Sequence, residues 1–146
     1  HATAIRRCLD FKNVKVISFG IRNLSKEEMN FYNLNKKRIK IFWANKKDKW
    51  NISEIRKIFK NKNVYITFDV DGFDSSLMPA TGTPEPGGMF WNDVMPILKN
   101  VCLVSNVVGA DINELAPIKK FNSCNFLTAK LAYKIISYVF ESKLKY

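Results

Sequence analysis

The chain has 146 residues, of which 47% are hydrophobic and 13% aromatic, and its formal net charge is +11. This length and apolar content are enough for one folded domain with a core, which excludes a disordered chain. Lysine or aspartate interrupts the apolar stretches well before the roughly eighteen residues that a membrane span needs. We therefore expect a soluble protein with no membrane partner. No charged-then-apolar leader precedes the first helical segment, so no signal peptide is expected.

The positive charge is not accompanied by a nucleic-acid-binding pattern. No segment combines arginine with the spaced aromatic residues that stack on bases. We interpret the charge as a solvated surface or coding bias and predict no nucleic-acid partner. Cys8, Cys102 and Cys124 lie far apart, without the spacing of a zinc or dithiol site. They indicate buried thiols in a reducing compartment, and we predict a cytoplasmic protein.

Helix-like and strand-like segments alternate along the chain, which is typical of α/β proteins with a parallel sheet. A helix from about Thr3 to Phe11 precedes a strand from Val14 to Phe19, and Ser25 with Glu28 forms a capping-box signal for a helix to about Lys36. The later segments are a strand Ile39 to Trp43, a helix Ser53 to Phe59, a strand Val64 to Phe68, a helix Trp91 to Val104, a strand Val107 to Asn113 and a helix Asn125 to Ser142. The pattern predicts four strands in one unit.

The loop between Phe68 and Phe90 is rich in proline and glycine and is too long for a mere connection. Ordered loops of this length are usually functional. Asp69 and Asp71 stand at its start. Residues two apart in a strand point the same way, so both carboxylates can aim at one point beyond the strand's carboxyl end. Open α/β sheets bind their ligands at that edge.

Oxygen ligands are the main option for a metal in this chain. His1 is the only histidine, which excludes a two-histidine motif and favours hard cations such as Mg(II) or Mn(II). Asp74, Asp111 and Glu114 also lie at or near predicted strand ends, and we expect the acidic residues to converge. An aspartate pair after a strand also caps turns and helices, so a purely structural interpretation stays open.

Three kinds of site are compatible with Asp69-Val70-Asp71-Gly72. A phosphatase of the haloacid dehalogenase type would have a nucleophilic and an acid-base aspartate followed by Gly-Thr, but Phe73 stands where the threonine is expected. A glycosyltransferase Asp-x-Asp site would hold Mn(II) against a nucleotide diphosphate, but that motif is very short. The third interpretation uses far more of the chain.

Phe68 to Asp74, followed by Pro79 to Pro84 and Gly87-Gly88, resembles the ureohydrolase family of arginases and agmatinases. The resemblance continues in Val108 to Pro117, which is similar to the family's last core strand. His1-Ala2-Thr3 is similar to the segment where agmatinase-like members carry an active-site histidine. The resemblance implies a three-layer α/β/α sandwich with a parallel sheet, of which residues 1–146 are the carboxyl-terminal part of a single domain.

The resemblance also implies a chemistry. Asp69 and Asp71 would be ligands of two Mn(II) ions, Glu114 would bind the substrate guanidinium, and His1 would relay a proton to the leaving amine. The reaction would be hydrolysis of a small cationic guanidinium substrate to urea and an amine. Agmatine is the favoured substrate, and its amine product is putrescine. Arginase, guanidinobutyrase and formiminoglutamase activities on the same scaffold stay open. Family members are commonly homo-oligomers, so we predict a trimer or hexamer.

The family's other metal ligands come from two upstream motifs, Gly-Gly-Asp-His and Asp-Ala-His-x-Asp, and neither occurs in this chain. We therefore expect the carboxyl-terminal half of a longer ureohydrolase, with an incomplete metal site and little or no activity of its own. The rival hypothesis is a non-catalytic remnant. Among the neighbours, we expect Arg22 to be structural or at a subunit contact and Asp111 to support the site or be structural. Thr81 and Thr83 can either bond the ligating carboxylates or hold the turn, and we favour the turn.

Overall fold

The computed structural model describes residues 4–144. Its helices and strands are α1 (Ala4–Cys8), β1 (Val16–Ile21), α2 (Lys26–Leu34), β2 (Ile39–Trp43), α3 (Ile52–Phe59), β3 (Asn63–Asp69), α4 (Trp91–Val104), β4 (Asn106–Asn113) and α5 (Ser123–Lys143). Two short 3₁₀ segments, Ala44–Lys49 and Val70–Gly72, follow β2 and β3. The predicted elements are all present, although α1 ends earlier than expected. No helix among the described residues is long and apolar enough to cross a membrane.

Local side-chain caps explain where two of the helices begin. The Ser25 hydroxyl accepts from the Glu28 N–H at 3.1 Å, and the Glu28 carboxylate accepts from the Ser25 N–H at 2.7 Å, which is the expected capping box. At α3 the cap is Asn51, whose side-chain oxygen accepts from the N–H groups of Ser53 and Glu54 at 2.8 and 3.2 Å. The predicted start at Ser53 was therefore late, because an asparagine caps as well as a serine does.

The four strands form two parallel pairs. β1 pairs with β2, with Val16 opposite Ile39, and β3 pairs with β4, with Asn63 opposite Asn106. The α/β class with parallel strands is thereby confirmed. Among the described residues, however, the two pairs are separate two-stranded sheets and not one continuous sheet. The alternation of helices and strands predicts the strands but does not say which of them are neighbours.

A cavity of about 470 Å³ lies between β1 and β3. Residues along both strands line it, and side chains of α4 close its apolar floor. Arg22, just beyond the carboxyl end of β1, donates to the carbonyl of Asp71, just beyond the carboxyl end of β3, so β1 and β3 run in the same direction. The edges of β1 and β3 that face this cavity, which we call the slot, have no strand partner within residues 4–144.

The long loop after β3 is part of the core. Its buried side chains pack with those of β3, α4 and α5 in one cluster: Ile66, Phe68, Val70, Phe73, Met78, Ala80, Met89, Val94, Leu98, Cys102, Cys124, Leu131 and Ile135. A loop that buries this many apolar groups is held by packing as well as by hydrogen bonds. Cys102 and Cys124 are buried thiols as predicted, but Cys8 is exposed, because α1 buries none of its residues.

Candidate metal and substrate site

The acidic residues gather where β3 and β4 end. Asp69 is the last residue of β3 and lies opposite Asn113, the last residue of β4, so Glu114 follows beside it. The negative charges of Asp71 and Glu114 both act on the Asp69 carboxyl. The structure therefore brings Asp69, Asp71 and Glu114 together at the carboxyl edge. His1, the fourth predicted site residue, lies outside the described residues.

A 3₁₀ turn, not the strand, sets the position of Asp71. β3 ends at Asp69, and Asp71 lies in the turn Val70–Gly72. The Asp69 Oδ1 atom accepts a hydrogen bond of 2.8 Å from the Asp71 N–H, so Asp69 caps this turn. Alternation along a strand was the wrong reason to place both side chains together. The turn-capping function left open by the sequence is present, and it occupies one oxygen of Asp69.

Asp71 carries an unpaired oxygen. Its Oδ2 atom accepts a hydrogen bond from the Thr83 hydroxyl, whereas its Oδ1 atom is buried and has no hydrogen-bond partner within the described part of the chain. A buried carboxylate oxygen without a partner is costly unless a cation or donor meets it. Carboxylate oxygens are the ligands that Mn(II) and Mg(II) prefer. Asp69 and Asp71 therefore fit a hard cation as part of its ligand set.

Residues 4–144 do not contain a complete metal site. They include no group of three or more His, Cys, Asp or Glu residues placed to hold an ion. Glu114 lies near Asp69 but would serve the substrate under the sequence-based hypothesis. Any further ligands would therefore have to come from outside the described residues.

The electrostatics of this edge favour a cation. Loss of hydration is the largest cause that raises the pKa of Asp69, and the N–H of Asp71 opposes it. The charges of Asp71 and Glu114 raise the same pKa further, and Arg22 lowers it by less. The negative charges of these carboxylates repel each other, and a bound cation would relieve that repulsion.

The backbone of Glu114 has a conformation that the sequence did not reveal. Its φ is +65°, in the left-handed region that residues with a Cβ seldom adopt. The Thr81 hydroxyl donates to the Glu114 carbonyl at 2.9 Å, and the Ala116 N–H donates to the Ala80 carbonyl at 2.9 Å. The long loop thus clamps Glu114 from both sides. Strained residues of this kind are often found at functional sites.

The two threonines have different partners. Thr81 holds main chain, as predicted for a turn, but the main chain it holds is that of Glu114. Thr83 bonds the carboxylate of Asp71, which the sequence left as the less favoured option. Asp111 accepts from the Thr67 hydroxyl at 2.8 Å and from the Asn113 amide at 2.7 Å. The bond from Thr67 links β3 to β4, and the bond from Asn113 lies within β4, so Asp111 stabilises the strand pair.

Three charged side chains tie the loop to the rest of the fold. Asp74 is buried, and its carboxylate accepts from the N–H groups of Gly87 and Gly88 at 2.7 and 3.2 Å, which joins the loop's start to its end. Lys47 donates to the Gly88 carbonyl and to Asp93, each at 3.0 Å. Arg22 donates to main-chain carbonyls at the start of the loop. The sequence analysis did not identify Lys47, because its partners Gly88 and Asp93 are more than 40 residues away and no local pattern indicates these contacts.

Comparison with known proteins gives related sequences along almost the whole chain. Residues 1–140 match the arginase family. The N(1)-aminopropylagmatine ureohydrolase of Synechocystis sp. is 36% identical over 99% of this chain, and the agmatinase of Pyrococcus horikoshii is 34% identical over 93% of it. The chain covers 47% of each of these two proteins, so it spans about half their length.

Solved structures have the same fold over a similar extent. The agmatine ureohydrolase of Thermoplasma volcanium superimposes with a TM-score of 0.83 at 30% identity, and the match covers 100% of this chain and 50% of that one. The arginase of Medicago truncatula has a TM-score of 0.76 at 23% identity over 95% of this chain and 44% of its own, which supports the fold alone. The chain therefore belongs to the arginase family.

Proposed function

We propose that the protein carrying this chain is a Mn(II)-dependent ureohydrolase that hydrolyses agmatine to urea and putrescine. Residues 1–146 would be the carboxyl-terminal part of its single catalytic domain. The observation that carries the proposal is the buried, unpaired Oδ1 atom of Asp71. Asp71 lies with Asp69 and Glu114 at the carboxyl edge of β3 and β4, and we call these three residues the acidic corner. Family membership supplies the reaction class, and this corner supplies residues suited to it.

Each residue has a defined task in this proposal. Asp69 and Asp71 hold Mn(II), which when bound activates water near neutral pH and stabilises developing charge. Glu114 accepts two hydrogen bonds from the planar guanidinium, an arrangement that a carboxylate matches well. His1 gives a proton to the leaving amine, a task that suits histidine near neutral pH. The contacts of Thr81 and Ala80 would keep Glu114 in its strained conformation while the substrate binds.

The overall charge of +11 does not oppose a cationic substrate. Charges separated by more than about 8 Å are largely screened at physiological ionic strength. The acidic corner therefore controls the local field at the carboxyl edge. The cytoplasmic location and the trimeric or hexameric state stay predictions from the sequence.

Two isosteric variants of the complete protein test the proposal through different readouts. Asp71→Asn should lose bound manganese, measured by elemental analysis, together with urea release from agmatine. Glu114→Gln should keep its manganese but lower kcat/KM about 100-fold, because a charge-assisted pair of hydrogen bonds is lost. Asp48→Asn, at an exposed aspartate, is the control. Full turnover and metal content in Asp71→Asn would contradict the proposal.

N(1)-aminopropylagmatine is a second candidate substrate. The relative with 36% identity over 99% of the chain bears that substrate in its name. The two substrates share the guanidinium and differ at the other end. Measuring kcat/KM for both, with arginine, guanidinobutyrate and formiminoglutamate alongside, separates them. A non-catalytic remnant would show no turnover of any of them, and the codons upstream of His1 would encode no metal-binding motif.

A further inference from the structure

Arg22 follows the end of β1, and its guanidinium lies against the loop that begins after β3. Its side chain is only 14% exposed. Nη2 donates to the carbonyl of Asp71 at 2.6 Å, and Nη1 donates to the carbonyl of Gly72 at 3.3 Å. Because β1 and β3 belong to different sheets, these bonds join the two strand pairs at the acidic edge.

The guanidinium is itself held by the far end of the loop. Its Nε atom lies 3.5 Å from Oε2 of Glu85, and the other oxygen of Glu85 accepts from the Asn23 side chain. A Cβ at Gly88 would lie 2.5 Å from Arg22 Nη1. Arg22 therefore fits a channel that exists only because residue 88 has no side chain. Its fork is directed at two successive carbonyls.

Among residues 4–144, three hydrogen bonds hold Asp71, and only one of them comes from another sheet. Its N–H donates to Asp69 and its Oδ2 atom accepts from Thr83, both within the segment that starts at the end of β3. Its carbonyl accepts from Arg22. Without Arg22 the turn at Asp71 would lose its outside support and could rotate. Small rotations matter for a metal ligand, because outer contacts orient it.

We propose that Arg22 is a positioning residue, which fixes the main chain at Asp71 so that the unpaired Oδ1 atom faces the cation. This inference rests on the proposed function. Its guanidinium donates to the main-chain carbonyls of Asp71 and Gly72, so Arg22 would act on the cation through the geometry of Asp71. Its charge is a competing explanation, since it also acts on Asp69.

Substitution by lysine and by methionine separates geometry from charge. Lysine keeps the charge but lacks the planar fork that reaches two carbonyls. In the complete protein, we expect Arg22→Met to weaken Mn(II) binding about tenfold or more, as loss of an outer contact to a ligand does. Arg22→Lys should bind Mn(II) about threefold or more weakly than wild type does. Titration with Mn(II), followed by electron paramagnetic resonance, measures the affinity of both variants. For agmatine, kcat should fall while KM changes little, because Glu114 keeps its contacts.

Arg38 offers a matched control. Its guanidinium also donates to two main-chain carbonyls, those of Val14 and Phe11 at 2.6 to 3.1 Å, but at the other end of the strands. Arg38→Met should cost stability without changing the Mn(II) affinity. An equal loss of affinity in Arg38→Met would show a general effect of destabilisation and overturn the positioning role.

The remaining outcomes distinguish failure of the positioning role from failure of the proposed function. Wild-type Mn(II) affinity in Arg22→Met or in Arg22→Lys overturns the positioning role and leaves the proposed function standing. A wild-type protein that neither binds Mn(II) nor releases urea overturns both. Where Arg22→Met does not fold, Arg22→Lys is judged by the same threefold criterion.

Discussion

The Asp74 carboxylate accepts four hydrogen bonds at the base of the loop. Oδ1 accepts from the Ser76 N–H at 3.0 Å and from its hydroxyl at 2.5 Å, and Oδ2 accepts from Gly87 and Gly88. These bonds, that from the Ser76 hydroxyl first, lower the pKa of Asp74 from 3.8 to about 2. Hydrogen bonds to the ionised form explain this direction. The stability of the folded loop therefore depends on ionisation of the Asp74 carboxyl.

We expect a specific pH dependence of stability from Asp74. Its pKa is lower in the folded state, so its contribution is fully present above about pH 4 and is lost as the pH falls towards 2. That contribution is up to about 2 kcal/mol. Asp74→Asn should therefore be less stable than wild type at neutral pH, by about 1–3 kcal/mol, and the gap should narrow as the pH falls. Urea unfolding over a pH series measures the gap.

The exposed Asp48 provides the comparison for this experiment. Asp48→Asn has the same chemistry at a site outside the loop and should follow the wild-type curve throughout. A difference between Asp74→Asn and wild type that stays constant from neutral pH to about pH 2 would contradict the assignment.

At the scale of elements, the loop from Val70 to Phe90 is closed on itself by main-chain bonds. The Met89 N–H donates to the Gly72 carbonyl at 3.0 Å, and the Asp74 N–H donates to the Met89 carbonyl at 2.9 Å. Gly88 lies at the point of closest approach. A Cβ there would lie 2.5 Å from the Asp74 nitrogen and the Phe73 carbonyl carbon. Main-chain atoms cannot move aside as a flexible side chain can.

We expect Gly88→Ala to lower the free energy of unfolding by about 1–3 kcal/mol through this overlap. The same variant should weaken Mn(II) binding, because the overlap includes the guanidinium of Arg22. Gly82→Ala is the matched control for stability, since the nearest atom to a Cβ there is Glu114 Oε2 at 4.0 Å. Equal stability of the two variants in urea unfolding would show that the loop yields at Gly88.

The elements that the sequence predicted well are those with a local signal. The capping box at Ser25 and the period of the apolar residues depend on neighbours in the chain, so α2 and the four strands could be found. The strained backbone of Glu114 depends on Thr81, and the fork of Arg22 depends on Asp71. Those contacts join residues far apart in sequence, and no local pattern encodes them. The three-residue turn at Asp71 was missed because the alternation of strand side chains was applied to Asp69 and Asp71, beyond the predicted strand end at Phe68.

At the scale of the molecule, two kinds of apolar surface remain uncovered within residues 4–144. The first is the slot between β1 and β3, with its unpaired strand edges and its apolar floor of Val94, Ile97, Leu98 and Val101. The second is a face of α5 together with the residue that follows this helix, where large side chains are exposed: Phe126, Tyr133, Ile136, Phe140 and Leu144. Open edges and apolar patches of this kind promote association. The longer relatives have about as much chain again with which to cover them.

We therefore expect the 146-residue chain, expressed alone, to associate at micromolar concentration, whereas the complete protein forms a defined species. Sedimentation velocity over a concentration series measures this difference. Phe140→Glu removes an apolar side chain from the exposed face of α5, and Leu34→Glu does the same at the end of α2. If the α5 face drives association, only Phe140→Glu should reduce it. If the open strand edges drive association, neither variant should reduce it, because both variants leave β1 and β3 unchanged. A chain that stays monomeric throughout would show that the slot closes without further polypeptide.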